Sequence, residues 1–168
     1  LLCFLPRAPI LPDSLTESWA LIAEAAWHGG KPELAMKCLG AGLASEPDNA
    51  HMNHLMGVLL TEAQRPNDAV IFLARAADKA PRNARTRVDW AIALVGLGQE
   101  QKAVSELHQA LALDSNCASA HYNLGVIAQQ RGAFTDAIKH YTQALGLSPA
   151  LVSAHLNLGV CRHRTGEY

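Results

Sequence analysis

Apolar and small residues along this chain fall into pairs of helical blocks, and residues 118–151 show one such pair most clearly. The apolar or small residues of the first block are Tyr122, Leu124, Gly125, Ile127 and Ala128. Those of the second block are Ala137, Ile138, Tyr141, Ala144 and Leu145. Residues at this spacing share one face of an amphipathic helix. The pattern therefore predicts two helices, each with one face to bury.

Turn-forming residues end each of the two predicted helices. Gly132 follows the first block, and glycine accepts the left-handed backbone geometry of a helix end. Ser148 precedes Pro149 after the second block, and the residue before a proline is driven out of helical geometry. The segment thus predicts a helical hairpin with a tight turn between its helices.

The hairpin pattern repeats along the chain at a constant interval. A second-helix alanine recurs at Ala35, Ala69, Ala103 and Ala137, and a helix-ending proline recurs at Pro47, Pro81 and Pro149. A fixed period of about 34 residues is typical of stacked repeat proteins, in which each unit buries its apolar face against its neighbours. We expect an irregular N-terminal segment at 1–15 and a repeat array at 16–168. The predicted units of the array are 16–49, 50–83, 84–117, 118–151 and a partial unit at 152–168.

These residues resemble the tetratricopeptide repeat (TPR), a helix-turn-helix unit of the same period. The family's pattern is seen in the fourth unit at Leu124-Gly125, Ala137, Tyr141, Ala144 and Pro149, and in the second at Met56-Gly57, Ala69, Leu73, Ala76 and Pro81. The resemblance implies an all-α fold, a right-handed superhelical solenoid of antiparallel helix pairs. One departure concerns the large aromatic residue common early in the family's unit, which remains only at Trp19. The residues in its place are Asn53, Arg87, His121 and His155.

The resemblance also implies a function: a scaffold that binds a protein or peptide in a groove lined by the first helices, without catalysis of its own. The residues expected to contact the partner are Val88, Ile92, Tyr122, Asn123, Val126, Gln129, Leu156, Asn157 and Val160. Two of them, Asn123 and Asn157, lie one period apart, and we expect their amides to bond the backbone of an extended peptide. A similar asparagine ladder lines the repeats of O-GlcNAc transferases. The carboxylate clamp of chaperone-binding members is not expected, because acids and apolar residues occupy its positions.

Composition and motifs argue against several other functions, namely nucleic-acid binding, membrane insertion, catalysis and metal binding. The formal net charge of −1 gives no field that would attract nucleic acid, and no stretch approaches the roughly 18–20 apolar residues of a membrane span. No nucleophile or phosphate-binding motif occurs, so we expect no enzyme activity and no cofactor. His51 and His54 lie three apart without an identifiable third ligand, so no metal site is expected. The four cysteines lack metal or disulfide spacing and are expected to be free thiols.

Two alternatives stay open at this point. The chain lacks an initiator methionine and stops within its fifth unit, so we expect a longer parent protein, in which the array is the targeting arm of an enzyme such as an O-GlcNAc-transferase-like glycosyltransferase. The second alternative is self-association through the partial unit. Repeat arrays need a polar cap at each end, and an uncapped last helix could instead pack against another copy of the chain. We expect a cytoplasmic protein, while the apolar start at 1–5 leaves a periplasmic or exported parent open.

Overall fold

The computed structural model describes residues 15–166, and their side chains from Ser18 onward. This part of the chain forms nine α-helices and no strand. Their bounds are α1 Leu15–His28, α2 Pro32–Ser45, α3 Ala50–Glu62, α4 Pro66–Lys79, α5 Ala84–Gly96, α6 Glu100–Leu113, α7 Ala118–Gln130, α8 Phe134–Leu147 and α9 Val152–Thr165. Leu15, predicted as the last residue of the irregular segment, begins α1. The remainder of that segment lies outside the described residues.

The turns within the hairpins use residues with positive φ, as the glycine pattern predicts. Gly30, Gly98 and Gly132 have φ between 69° and 77°, which L-residues with a side chain rarely adopt. Gln64 takes the same place in the second hairpin with a φ of 58°. Pro32 and its counterpart in α4 stand in the first turn of a helix, where the missing N–H breaks no hydrogen bond.

The described chain separates into two compact units. Unit 1 ends at residue 47 and contains α1 and α2, which pack together as one hairpin. Its core is built mainly from alanines, and its largest fully buried side chain is Leu39. Cys38 is a free thiol buried among them.

Unit 2 begins at residue 48 and contains α3 to α9. Three hairpins, α3/α4, α5/α6 and α7/α8, stack in chain order, and α9 packs against α8. Small residues allow the helices to approach closely in this stack. The second-helix alanines there have no exposed surface: Ala69, Ala76, Ala103, Ala110, Ala137 and Ala144. The fold is thus an all-α, TPR-like solenoid. None of the described helices combines the length and apolarity that crossing a bilayer demands.

Candidate protein-interaction surface

The first helices of the hairpins line one wall of unit 2. Contacts join α3 to α5, α5 to α7 and α7 to α9, whereas the described second helices α4, α6 and α8 do not contact one another. Since consecutive first helices touch and consecutive second helices do not, the two sets lie on opposite sides of the stack. We call the surface formed by α3, α5, α7 and α9 the inner wall, and that of α4, α6 and α8 the outer wall.

Apolar side chains are exposed along the inner wall toward α9. Ile92, Val126 and Val160 lie one period apart, at the same place in α5, α7 and α9. Ile92 is 38% exposed and Val160 48%, while Val126 is half-buried against the core below it. Leu156, one turn earlier in α9, is 67% exposed. Contiguous exposed apolar surface of this kind is typical of interaction sites.

Val88 does not belong to this exposed surface, and its prediction as a partner contact is corrected. It is only 2% exposed and packs in a core cluster with Ala91, Leu94 and Leu124. Leu124, of the next first helix α7, belongs to this cluster. Leu156 occupies the same repeat position in α9, and there the side chain is open to solvent.

Three of the predicted residues meet around Tyr141, a fully buried tyrosine of α8. The hydroxyl of Tyr141 donates to Gln129 Oε1 at 2.7 Å. The amide Nδ2 of Asn157 donates to the hydroxyls of Tyr141, at 3.3 Å, and Tyr122, at 3.4 Å. The two tyrosine rings are 5.8 Å apart and inclined at 45°. We call these four residues the tyrosine–amide cluster.

The tyrosine–amide cluster has a structural role rather than an acid–base role. Burial raises the pKa of the Tyr141 phenol well above its ordinary value, and the hydrogen bond from Asn157 offsets this only in part. The phenol therefore keeps its proton at neutral pH and acts as a donor to Gln129. The bonds join α7, α8 and α9 and fix the position of the inner wall at its apolar end.

The two asparagines predicted as a ladder use their amide donors within the protein. Asn123 Nδ2 donates to the Ser119 carbonyl oxygen at 2.8 Å, one turn earlier in its own helix. Asn157 Nδ2 is directed to the tyrosines, as described above. The two amides thus have different surroundings, although both stand at the same place in the repeat. Their contact with a peptide backbone stays a prediction.

A histidine–aspartate contact joins α3 to α5 at the other end of the inner wall. His54 Nε2 of α3 lies 2.6 Å from Asp89 Oδ2 of α5, and Arg85 Nε is 3.9 Å from the same oxygen. The sequence could have indicated this contact, because His54 and Asp89 are 35 residues apart, one position more than the repeat period, and so lie on neighbouring first helices. Residues 18–166 contain no group of three or more His, Cys, Asp or Glu arranged to hold a metal ion.

Two histidines face each other where α7 packs against α8. The ring centroids of His121 and His140 are 6.0 Å apart, and the Nδ1 atom of each is buried without a hydrogen-bond partner in the described part of the chain. Burial, and secondarily the proximity of His108, lowers the pKa of His121. Burial also lowers the pKa of His140; His121, His108 and Lys139 add to this effect, and Asp136 opposes it.

Acidification should therefore destabilise unit 2. Because both folded-state pKa values lie below the ordinary 6.5, the unfolded chain takes up protons first as the pH falls. The stability that these two histidines contribute is fully present above about pH 6.5 and is lost as the pH falls from there through their lower folded-state pKa values. We expect a lower urea midpoint at about pH 5.5 than at about pH 7.5, and a shallower dependence in His121→Gln/His140→Gln. An unchanged dependence in the double variant would assign the effect to other groups.

The stacked helical hairpins, with an exposed wall of first helices, define a helical-repeat solenoid of the kind that offers an extended surface to partners. A family model for the tetratricopeptide repeat matches residues 20–84, 88–152 and 128–168. The chain therefore belongs to the tetratricopeptide repeat family.

Solved structures with the same fold come from several proteins. A crystal structure of MamA is 23% identical, covers 87% of this chain and 85% of its own, and superposes with a TM-score of 0.75. PilF from Pseudomonas aeruginosa is 20% identical over 93% of this chain and 71% of its own, with a TM-score of 0.83. YrrB, a TPR protein with an unusual peptide-binding site, is 18% identical over 92% and 82%, with a TM-score of 0.69. At these identities the likeness concerns the fold alone.

Proposed function

We propose that this chain is a non-catalytic scaffold that binds a protein or peptide segment on the inner wall of unit 2. The observation that carries the proposal is the exposed apolar surface of Ile92, Leu156 and Val160, supported from below by half-buried Val126. Burying about 100 Å² of such surface on a partner contributes about 2.5 kcal/mol before the costs of association. YrrB, which shares the fold, has a peptide-binding site, and this lends the proposal further support.

The polar groups of the inner wall support a scaffold better than a catalyst. His54 is held by Asp89, and Tyr141 keeps its proton within the tyrosine–amide cluster. These groups position helices relative to one another and do not form a nucleophile–base pair. Gln129 and Asn157 are joined to the same tyrosine, so they present a preorganised polar edge beside the apolar surface.

A phage-displayed library of random peptides, selected on the full chain, tests the proposal. Peptides that bind the wild type should bind Leu156→Glu about tenfold or more weakly, because a carboxylate would replace an apolar contact and lose water on binding. Ile71→Glu is the matched control, since Ile71 is 58% exposed on α4 of the outer wall. Equal binding by both variants, measured by fluorescence anisotropy, would place the contact elsewhere.

Self-association is separated from partner binding by sedimentation velocity on the same proteins. A scaffold for another protein should sediment as a monomer at every concentration tested. A dimer that Leu156→Glu dissociates, while Ile71→Glu does not, would instead assign the inner wall to a second copy of this chain.

A further inference from the structure

We propose that His121 and His140 together bind one divalent transition-metal ion, such as Zn²⁺, and so link α7 to α8. The inference goes beyond the proposed function and does not depend on it, because the two residues meet where α7 packs against α8. The ion would have two protein ligands, one ring nitrogen from each histidine, and water at its remaining positions. The sequence-based expectation of no metal site concerned His51 and His54, which are not part of this pair.

The repeat itself brings these two positions into contact. One period earlier, the same positions hold Arg87 and Glu106, and there Arg87 Nη1 donates to Glu106 Oε2 at 2.8 Å. The third hairpin therefore fills this place with two side chains that bind each other. In the fourth hairpin the Nδ1 atoms of His121 and His140 are buried and have no hydrogen-bond partner in the described part of the chain. Buried polar atoms are rarely left so, and a ligand shared by both rings would account for them.

The separation of the two rings suits a shared ion. Their centroids are 6.0 Å apart, and the rings are inclined at 30°. Zn²⁺ binds an imidazole nitrogen at about 2.0–2.1 Å, and that nitrogen lies about 1.1 Å from its ring centroid, so two imidazoles on one ion have centroids about 4.5–6.5 Å apart. The observed distance lies within this range. An ion therefore fits without a change in the spacing of α7 and α8, once a nitrogen of each ring is turned toward it.

The surroundings keep both imidazoles in the form that binds metal ions. Burial, followed by the proximity of a neighbouring histidine, holds the pKa of each ring below its usual range. Both rings are therefore neutral at pH 7 and keep a lone pair for an ion. Neutral imidazole suits Zn²⁺, Ni²⁺ and Cu²⁺, whereas Mg²⁺ prefers oxygen ligands. His108 of α6 is near enough to lower both pKa values, but the three rings are not arranged to hold one ion together, which leaves two protein ligands.

Calorimetric titration of the full chain with ZnCl₂ at neutral pH tests the inference. We expect a one-to-one binding step that requires both histidines. Loss of an outer-shell partner alone weakens a metal site by about tenfold or more, so His121→Gln and His140→Gln should each weaken Zn²⁺ binding at least that much. MgCl₂ should show no binding, because the site offers nitrogen and no carboxylate.

His155→Gln is the matched control for these variants. His155 stands one period after His121, at the same place in α9, and it is exposed, with its Nε2 atom 2.9 Å from the Pro149 carbonyl oxygen. The change removes an imidazole of the same repeat position without touching the pair, so Zn²⁺ should bind this variant as tightly as the wild type. Circular dichroism of each variant verifies that the helices are intact.

Two measurements on the wild type do not depend on how the variants fold. Zn²⁺ should raise the urea midpoint, and EDTA should reverse the rise, because the ion binds the folded chain in preference to the unfolded one. In crystals soaked with ZnCl₂, anomalous scattering should locate the ion between the rings of His121 and His140.

Several results would overturn the metal site. They are the absence of Zn²⁺ binding, equal binding by the wild type and His121→Gln/His140→Gln, and an ion located away from the two rings. None of them would affect the scaffold, which is tested separately by peptides that bind through Leu156. Loss of peptide binding in Leu156→Glu would, in turn, leave the metal site in place.

Discussion

Replacing Gly125 with alanine should lower the free energy of unfolding by about 1–3 kcal/mol, even though alanine is the better helix former. A methyl group on Gly125 would come within 2.6 Å of Cε1 and 2.7 Å of Cδ1 of Tyr141. The ring cannot turn aside easily, because it has no exposed surface and its hydroxyl is bonded to Gln129 and Asn157. The helices must therefore separate to make room. Urea denaturation followed by circular dichroism measures the loss.

Gly159→Ala is the matched control for this prediction. Gly159 has the same place in α9 that Gly125 has in α7, and its added methyl group would meet no atom within 4 Å. The change should therefore show helix propensity alone and raise stability by up to about 1 kcal/mol. If both substitutions shifted the urea midpoint in the same direction and by the same amount, the close approach of α7 and α8 would be wrong.

A second substitution should relieve the clash at Gly125. The third hairpin has Ala91 and Leu107 where the fourth has Gly125 and Tyr141, and both residues of the third are fully buried in one cluster. Gly125→Ala/Tyr141→Leu recreates that pair in the fourth hairpin. In a double-mutant cycle the two changes should couple favourably by about 1 kcal/mol or more. Additive losses would mean that Tyr141 does not limit the space beside residue 125.

The repeat architecture was open to prediction because one physical requirement recurs in every unit. Wherever two helices approach closely, a small residue is needed, and Ala69, Ala103 and Ala137 record that need at a constant interval. The turn at Gly132 is equally predictable, because glycine favours the positive φ that this position requires, whereas Gln64 takes the same place in the second hairpin without being a glycine. The helix pairs and the TPR fold follow from these local signals.

The surface was harder to predict because exposure depends on what each repeat has as a neighbour. Val88 and Leu156 have the same place in the period, and yet one is buried and the other is 67% exposed. The same limit applies to Asn157, whose amide is directed to Tyr141 of the preceding helix. The repeat pattern identifies equivalent positions in each unit, but it does not show which atoms surround the side chain at each of them.

Arg87 shows how a departure from the repeat pattern is accommodated. It stands where the family commonly has an aromatic residue, in a place that is largely enclosed between α5 and α6. Glu106 of α6 compensates the charge: Arg87 Nη1 donates to Glu106 Oε2 at 2.8 Å. The other terminal nitrogen, Nη2, donates to the Pro81 carbonyl oxygen at 3.2 Å. The two side chains are only 16% and 13% exposed, so this ion pair is mostly shielded from solvent.

Truncating Arg87 to alanine should therefore cost about 2–3 kcal/mol, because it would leave the carboxylate of Glu106 enclosed without its counter-charge. The matched control is Arg131→Ala. Arg131 pairs with Glu100 at the same distance of 2.8 Å, but the two side chains are 46% and 38% exposed. Water can replace the lost partner there, and the expected cost is below about 1 kcal/mol. Both losses are measured as changes in the free energy of unfolding in urea.

Replacing both members of the buried pair separates packing from charge. Arg87→Met/Glu106→Leu removes the two charges and keeps most of the apolar volume between α5 and α6, so it should restore much of the stability lost in Arg87→Ala. The reason is that an enclosed ion pair must offset the cost of removing both charges from water, which an apolar pair does not incur. A double variant no more stable than Arg87→Ala would mean that the arginine acts through its volume and its bond to Pro81. The charge of Glu106 would then have little influence on the third hairpin.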